Sequence, residues 1–217
     1  MITRRSLLLL PLLWPLVARS GESELIQAAA RGDLAAVRRL LEGGAELNAT
    51  SSRGRNAVLA ATQGGHIEIA RLLISRGADV NAQDDTRDNA FLLAGAEGYT
   101  EIVKLALKAG ANVRLTNRYG GTALIPACHY GHVDTVRVLL NSLIDVNHVN
   151  DLGWTALMEA VLLGDGGPRY IEIVRLLVES KANLNLADRG GVTALAHARK
   201  RNLHAIVTVL RSAGARA

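Results

Sequence analysis

The chain of 217 residues is 49% hydrophobic but only 3% aromatic, and its 21 glycines are typical of many short turns between closely packed helices. Its net charge of +5 reflects three arginines in the first twenty residues; the remainder has 22 basic and 20 acidic side chains and no long Lys/Arg run, which argues against a nucleic-acid-binding surface. Cys128 is the only cysteine, so an intramolecular disulfide and a cysteine-rich zinc site are excluded.

Residues 1–20 have the three parts of a secretory signal peptide. A short basic start with Arg4 and Arg5 precedes an almost wholly apolar stretch over residues 7–17, and the small-x-small tripeptide of residues 18–20 follows. Two prolines interrupt the apolar stretch, and a membrane-spanning helix needs about 20 residues. The sequence therefore predicts a signal peptide over residues 1–20, with an uncleaved inner-membrane anchor as the alternative.

The export route stays open between two machineries. Residues 3–8, Thr-Arg-Arg-Ser-Leu-Leu, resemble the twin-arginine motif, and Arg19 near the cleavage site fits that route. The leucine-rich centre favours the general secretory route instead. Both routes deliver the mature protein outside a bacterial cytoplasm, so we expect a periplasmic or secreted protein.

Beyond residue 22 the sequence repeats itself with a period of 33 residues. One series, of the form Gly-Ala-acid or amide, begins at residues 44, 77 and 110, with altered versions at residues 143, 181 and 214. A second, Gly followed by a polar or aromatic residue, begins at residues 32, 65, 98 and 131, and a third, Gly-x-Thr-Ala-Leu, begins at residues 120, 153 and 191. The series divide residues 22–217 into six units, at about residues 22–53, 54–86, 87–119, 120–152, 153–190 and 191–217.

These units resemble ankyrin repeats, and the resemblance covers nearly everything after residue 22. The family pattern is a turn, a first helix, a Gly-His linker, a second helix rich in Val and Leu, and a closing Gly-Ala-Asp-Val-Asn. In the second unit, residues 65–73 read Gly-His-Ile-Glu-Ile-Ala-Arg-Leu-Leu and residues 77–81 read Gly-Ala-Asp-Val-Asn. The resemblance implies an all-α repeat solenoid, an ankyrin stack of about six helix–turn–helix units with short β-hairpin fingers.

Helix caps and departures from the family pattern mark individual repeats. Thr122, Thr155 and Thr193 stand where a hydroxyl caps the following helix, and Asn56 and Asn89 take the same position. The departures are Arg87 at a turn glycine, Leu143 and Lys181 at helix-ending glycines, and Pro126 inside a first helix. We therefore expect lower stability in repeats four and five. Residues 165–169 lengthen the interhelix turn of repeat five, as a tolerated surface insertion or, alternatively, a partner-contacting loop.

No residue pattern points to catalysis. His66 and His132 occupy the Gly-His position, where the family's histidine braces the interhelix turn, and Cys128 takes a slot where the family places a small buried residue. The sequence contains no nucleophile elbow, metal-ligand spacing, dinucleotide fingerprint or phosphate-binding loop. We therefore predict no catalytic residue, no metal site and no cofactor, and we do not expect an enzyme.

The resemblance implies binding to another protein through finger tips and first helices. Twelve side chains are candidates for partner contact: Arg53, Arg55, Asp85, Arg87, Arg118, Tyr119, Leu152 and Trp154 on the fingers, and His129, Tyr130, Met158 and Glu159 on the first helices. Tyr119 and Trp154 resemble binding hot spots, and we expect the binding region around them across repeats three to five. The alternative for Trp154 is packing on the next finger.

We therefore predict a monomer that scaffolds or regulates a periplasmic protein partner. The alternative is an immunity or inhibitor protein that blocks a toxin or enzyme acting in the periplasm. Neither a nucleic acid nor, beyond the signal segment, a membrane is an expected partner.

Overall fold

The computed structural model describes residues 23–216, so the predicted signal peptide over residues 1–20 lies outside the described residues. The described chain forms six consecutive helix pairs, which confirms the predicted all-helical repeat solenoid. The helices are α1 (Glu24–Arg31), α2 (Leu34–Glu42), α3 (Ala57–Gln63), α4 (Ile67–Ser75), α5 (Ala90–Glu97), α6 (Thr100–Lys108), α7 (Leu124–Tyr130), α8 (Val133–Leu140), α9 (Ala156–Leu163), α10 (Pro168–Glu179), α11 (Ala194–Lys200) and α12 (His204–Ser212). None of these twelve helices has the length and apolar character needed to cross a membrane.

The two helices of each repeat belong to two layers. The first helices, α1, α3, α5, α7, α9 and α11, pack in that order against one another, and the second helices form a parallel series from α2 to α12. Their apolar sides form one continuous core, in which Phe91, Ile102 and Leu139 are fully buried. Cys128 is buried in the same core, and burial raises the pKa of its thiol, which confirms it as a core residue.

Side-chain caps start five of the six first helices. The cap residues are Ser23, Asn56, Asn89, Thr155 and Thr193, and each accepts the backbone N–H three residues further on. The predicted caps at Thr155 and Thr193 are confirmed. Each cap satisfies a donor that the helix itself leaves without a partner.

Repeat four starts differently because Pro126 is the third residue of α7. In repeat five, the equivalent N–H of Glu159 donates to the carbonyl of Thr155 at 3.0 Å. Proline has no N–H, so Ile125 donates to the Thr122 carbonyl instead, at 3.2 Å. The hydroxyl of Thr122 is buried and caps nothing, and the predicted cap at this residue is therefore wrong.

The Gly-His position joins neighbouring repeats. The Nε2 atom of His66 forms a hydrogen bond with the Ala30 carbonyl at 3.2 Å, and His132 does the same with Ala96 at 3.0 Å. Tyr170 takes this position in repeat five, where its hydroxyl donates to the His129 carbonyl at 2.8 Å. The structural role predicted for the two histidines is confirmed.

Residues 165–169 lengthen both a turn and a helix. The Asp165 carboxylate accepts the backbone N–H of Gly167 at 2.7 Å, and Pro168 then begins α10, which has 12 residues. Proline suits this first helical position because its missing N–H would have no partner there.

The two replaced helix-ending glycines have different consequences. Lys181 adopts the left-handed conformation of the glycine it replaces, with φ at 63°, and the Ala182 N–H still donates to the Leu177 carbonyl. Leu143 does not adopt that conformation, and its side chain is 94% exposed. At that helix end the hydroxyl of Ser142 donates to the Leu139 carbonyl at 2.6 Å.

The fingers between repeats are turns where the sequence predicted β-hairpins. Within residues 23–216 the only strand-like pairing is an isolated bridge between Ala187 and Thr193. In each finger, an oxygen of the first side chain accepts the backbone N–H groups two and four residues on, as Asp84 does from Thr86 and Asp88. This local bonding occupies N–H groups that a hairpin would pair. Arg87 has a φ of 61° at the fourth position, where the other fingers carry glycine.

Candidate functional site

A groove of about 380 Å³ lies between the fingers and the first helices of repeats three to five. Stacked repeats create extended concave surfaces that solenoid proteins use for binding. Six of the twelve candidate residues line the groove: Arg118, Tyr119, His129, Tyr130, Leu152 and Glu159. The groove therefore falls in the region that the sequence predicted, although Trp154 is not among its lining residues.

The groove is built from equivalent positions of successive repeats. Leu93, Pro126 and Glu159 are 33 residues apart and form its floor along α5, α7 and α9. The same spacing relates the pairs Asn117 and Asn150, Tyr119 and Leu152, and Tyr130 and Leu163. Leu93, Pro126 and Leu163 were not among the twelve candidates, although the 33-residue register relates them to Glu159 and Tyr130, which were.

Glu159 is an acid buried at the bottom of the groove. Glu159 is 5% exposed, and its Oε1 atom accepts a hydrogen bond of 3.0 Å from the Asn150 side-chain amide. Its Oε2 atom lies 3.5 Å from Nδ1 of His129. Burial raises the pKa of the Glu159 carboxyl to about 7, against a smaller opposing effect of the Asn150 amide. A strongly perturbed carboxyl in a groove is typical of a functional site.

The walls of the groove carry exposed aromatic and aliphatic side chains. Tyr119 is 55% exposed and Tyr130 is 52% exposed. The Arg118 guanidinium lies 4.9 Å from the ring centroid of Tyr119, and His129 stacks on Tyr130 with 4.3 Å between ring centroids. Large aromatic surfaces held in place by neighbours are typical anchors of protein interfaces.

A charged depression continues the groove toward repeat two. Arg53, Arg55 and Asp85 line it, and it shares Arg118 and Asp88 with the groove. Side chains of both signs alternate there, which suits specificity and partner orientation more than affinity. Nine of the twelve candidates thus border one continuous surface.

The remaining three candidates lie outside both depressions. Met158 is 1% exposed and belongs to the core, so it offers no surface to a partner. Trp154 is half-buried and packs against the core, which leaves little of its surface for a partner. Arg87 is exposed, but its guanidinium donates to the Thr116 hydroxyl of the next finger at 2.9 Å.

The insertion in repeat five does not contribute to the two depressions. Residues 165–169 line neither of them. Across residues 23–216, no group of three or more His, Cys, Asp or Glu side chains is arranged to hold a metal ion.

The chain matches a family model for ankyrin repeats, of three copies, over residues 10–84 and 91–188. Among solved structures, it is similar to an ankyrin repeat domain from Acinetobacter baumannii AYE, with 47% identity and a TM-score of 0.85 over 88% of this chain and 98% of that one. It is also similar to EF0377, an ankyrin repeat protein, with 38% identity and a TM-score of 0.82 over 86% of this chain and 96% of that one.

A third similar structure is the ankyrin repeat domain of Bcl-3, a member of the IkappaB protein family. It has 28% identity and a TM-score of 0.77, over 90% of this chain and 88% of that one. No curated protein matches the chain.

Proposed function

We propose that this chain, which belongs to the ankyrin repeat family, is an exported module that binds one protein partner in the groove of repeats three to five. Ankyrin repeats are protein-interaction scaffolds, and the carrying observation is the groove with Tyr119 and Tyr130 exposed on its walls. Solvent-exposed aromatics beside apolar side chains favour binding over a purely structural role. The module scaffolds or regulates its partner and performs no catalysis of its own.

Export is part of the proposal and depends on the composition of residues 1–20. Its test is cell fractionation of the native host that expresses the chain with a C-terminal affinity tag, followed by N-terminal sequencing. We expect the tagged protein outside the cytoplasm with the segment of residues 1–20 removed. Accumulation in the cytoplasm with an intact N-terminus would overturn this part, and an intact N-terminus in the membrane fraction would indicate the anchored alternative.

Docking in the groove is tested by affinity capture of the tagged protein after crosslinking in cells. The double variant Y119A/Y130A removes both aromatic walls, and we expect it to lose the partner that the unmodified protein captures. The matched control is L143A, which removes the most exposed large aliphatic side chain from outside the groove. Capture that survives Y119A/Y130A would overturn the proposed docking site, and the activity of the captured partner shows whether binding inhibits it.

A further inference from the structure

The buried Glu159 carboxylate has no lysine or arginine partner among the described residues, and its ionisable neighbour is His129, with 3.5 Å between Oε2 and Nδ1. The hydrogen-bond donor to the carboxylate is the uncharged amide of Asn150. Burial lowers the pKa of His129 and so disfavours the charged form of this neighbouring imidazole. Arg118, the arginine that lines the groove, is positioned over the Tyr119 ring instead.

Other acidic side chains of the fold do have such partners. Glu172 accepts a bond of 2.9 Å from Arg137, and Glu101 accepts one of 3.1 Å from Arg71. Both of these pairs are solvent-exposed, where pairing contributes little. At Glu159 pairing would contribute much more, because a buried charge without a counter-charge is costly. The cost falls away when a cation from outside reaches the carboxylate.

The walls above Glu159 suit the rest of a long basic side chain. Tyr119 and Tyr130 present aromatic rings, and Leu152 adds aliphatic surface. Lysine and arginine pack their methylene stems against apolar surface while the charged end binds elsewhere, and aromatic rings attract the cation itself. Asp88 adds a second acid to the lining, and the nearby Arg118 guanidinium offsets part of its charge.

We propose that the groove binds a lysine or arginine side chain of the partner protein, with its cation on Oε2 of Glu159 and its stem between Tyr119, Tyr130 and Leu152. This inference rests on the proposed function, because it names the chemistry by which the docked partner is recognised. The competing explanation is that Glu159 only holds the finger through Asn150. The two differ in whether the charge of Glu159 is needed, since a glutamine can still accept from Asn150.

The test uses the full chain labelled with carbon-13 in its tyrosine rings and followed by NMR. The chain has four tyrosines, of which Tyr119 and Tyr130 line the groove and Tyr99 does not, so Tyr99 is an internal control. The probe is the peptide acetyl-Gly-Lys-Gly-amide, and its uncharged counterpart carries norleucine in place of lysine. We expect saturable shifts of Tyr119 and Tyr130 with the lysine peptide, and at least about tenfold weaker binding of the norleucine peptide.

The variant E159Q separates charge from structure. We expect it to bind the lysine peptide no better than the norleucine peptide, while E97Q, which removes an exposed acid outside the groove, binds it like the unmodified protein. Equal binding of the two peptides, or undiminished lysine binding by E159Q, would overturn the inference. Cadaverine that binds as tightly as the peptide would overturn the assignment to a protein side chain.

Failure of this inference and failure of the proposed function give different results. If Y119A/Y130A loses the captured partner but the lysine peptide does not bind, the inference is wrong and the docking site stands. If the lysine peptide binds but Y119A/Y130A still captures the partner, docking occurs elsewhere and the assignment of the cation to the partner is overturned.

Discussion

The first helices of repeats five and six each pair with a polar residue of the preceding finger at the same two positions. The pKa of the acidic residue is raised in one pair and lowered in the other. Asn150, in the finger that precedes repeat five, donates to Glu159 of α9. Asp188, in the finger that precedes repeat six, pairs with His197 of α11, with 2.6 Å between Oδ2 and Nε2. The backbone N–H of Val192 and the His197 side chain lower the pKa of Asp188, whereas burial raises that of Glu159 to about 7.

The comparison fits our proposal that one scaffold position serves binding in repeat five and stability in repeat six. Asp188 accepts two backbone N–H groups of its own finger and also contacts a histidine. The Glu159 carboxylate receives one side-chain amide, lies 3.5 Å from Nδ1 of His129, accepts no backbone N–H within residues 23–216 and faces the groove. An ionisable group kept in an unfavourable environment is a common cost of binding sites, where stability is exchanged for function.

The substitution N150A should give the largest effect on this comparison. It removes the acceptor for the N–H groups of Leu152 and Trp154 and leaves the buried Glu159 without its amide donor. We expect a loss of about 2–3 kcal/mol in the free energy of unfolding, because two backbone N–H groups lose their acceptor and the buried Glu159 carboxyl loses its hydrogen-bond donor. Urea unfolding followed by far-UV circular dichroism measures the loss.

The matched control is N117A, at the same position of the preceding finger. Asn117 accepts the N–H groups of Tyr119 and Gly121, but the helix position equivalent to Glu159 is Pro126. N117A should therefore cost only the turn bonds, about 1 kcal/mol. Equal losses in N150A and N117A would show that the Asn150–Glu159 contact contributes nothing.

The second prediction concerns how the stability contributed by Glu159 and by Asp188 changes with pH. Because the carboxyl pKa of Glu159 is raised from 4.5 to about 7, the folded protein retains a proton that the unfolded chain has released in this interval. Stability from this group is therefore highest below pH 4.5 and falls as pH rises to about 7, by up to about 3 kcal/mol. We expect E159Q to melt at a higher temperature than the unmodified protein at pH 8, with the difference vanishing toward pH 4.

Asp188 should behave in the opposite way. Its lowered pKa adds stability above the ordinary value of 3.8, and this contribution is lost as pH falls through that value and below. D188N should therefore melt at a lower temperature than the unmodified protein at pH 8, and the difference should shrink in acid. Melting-temperature differences of the same sign in E159Q and D188N at pH 8 would contradict the comparison.

The smallest effect is expected at the helix ends of the same two repeats. Lys181 ends α10 with φ at 63°, whereas Gly214 ends α12 with φ at 87°. K181G should stabilise by about 0.5–1 kcal/mol, because glycine lacks the steric cost of that conformation. The reciprocal variant G214A should lose a similar amount, since a Cβ there meets nothing and only the backbone is strained. Thermal melts compare the two, and a K181G protein less stable than its parent would refute the expectation.

Much of the fold could be predicted because it depends on local, periodic signals. The 33-residue register fixed the helix pairs, and the Gly-His histidines and the caps at Thr155 and Thr193 followed from it. The missing cap at Thr122 was not predicted, because the N–H of Ile125, which the hydroxyl would accept, donates to the Thr122 carbonyl in the turn that Pro126 alters. Helix caps therefore depend on both partners of the first turn, and a suitable cap residue alone is insufficient.

The direction of individual side chains was harder to predict than the position of the site. Met158 and Glu159 are neighbours on α9, and both are buried, yet only Glu159 lines the groove. Successive helical residues point about 100° apart, so an error of one position moves a side chain from the groove to the core. Trp154 shows the same limit, because its size favoured partner contact and its packing against the core does not.

The 33-residue register of the groove makes its chemistry modular. Each of the floor residues Leu93, Pro126 and Glu159 comes from a different repeat. Exchanging one whole repeat therefore changes one floor residue and leaves the other two in place. Moving the repeat that contains Glu159 into another ankyrin stack would place this buried acid beside different wall residues. The protein is in this respect a natural template for re-targeted binders, in which the charge and the aromatic surface of a site are set independently.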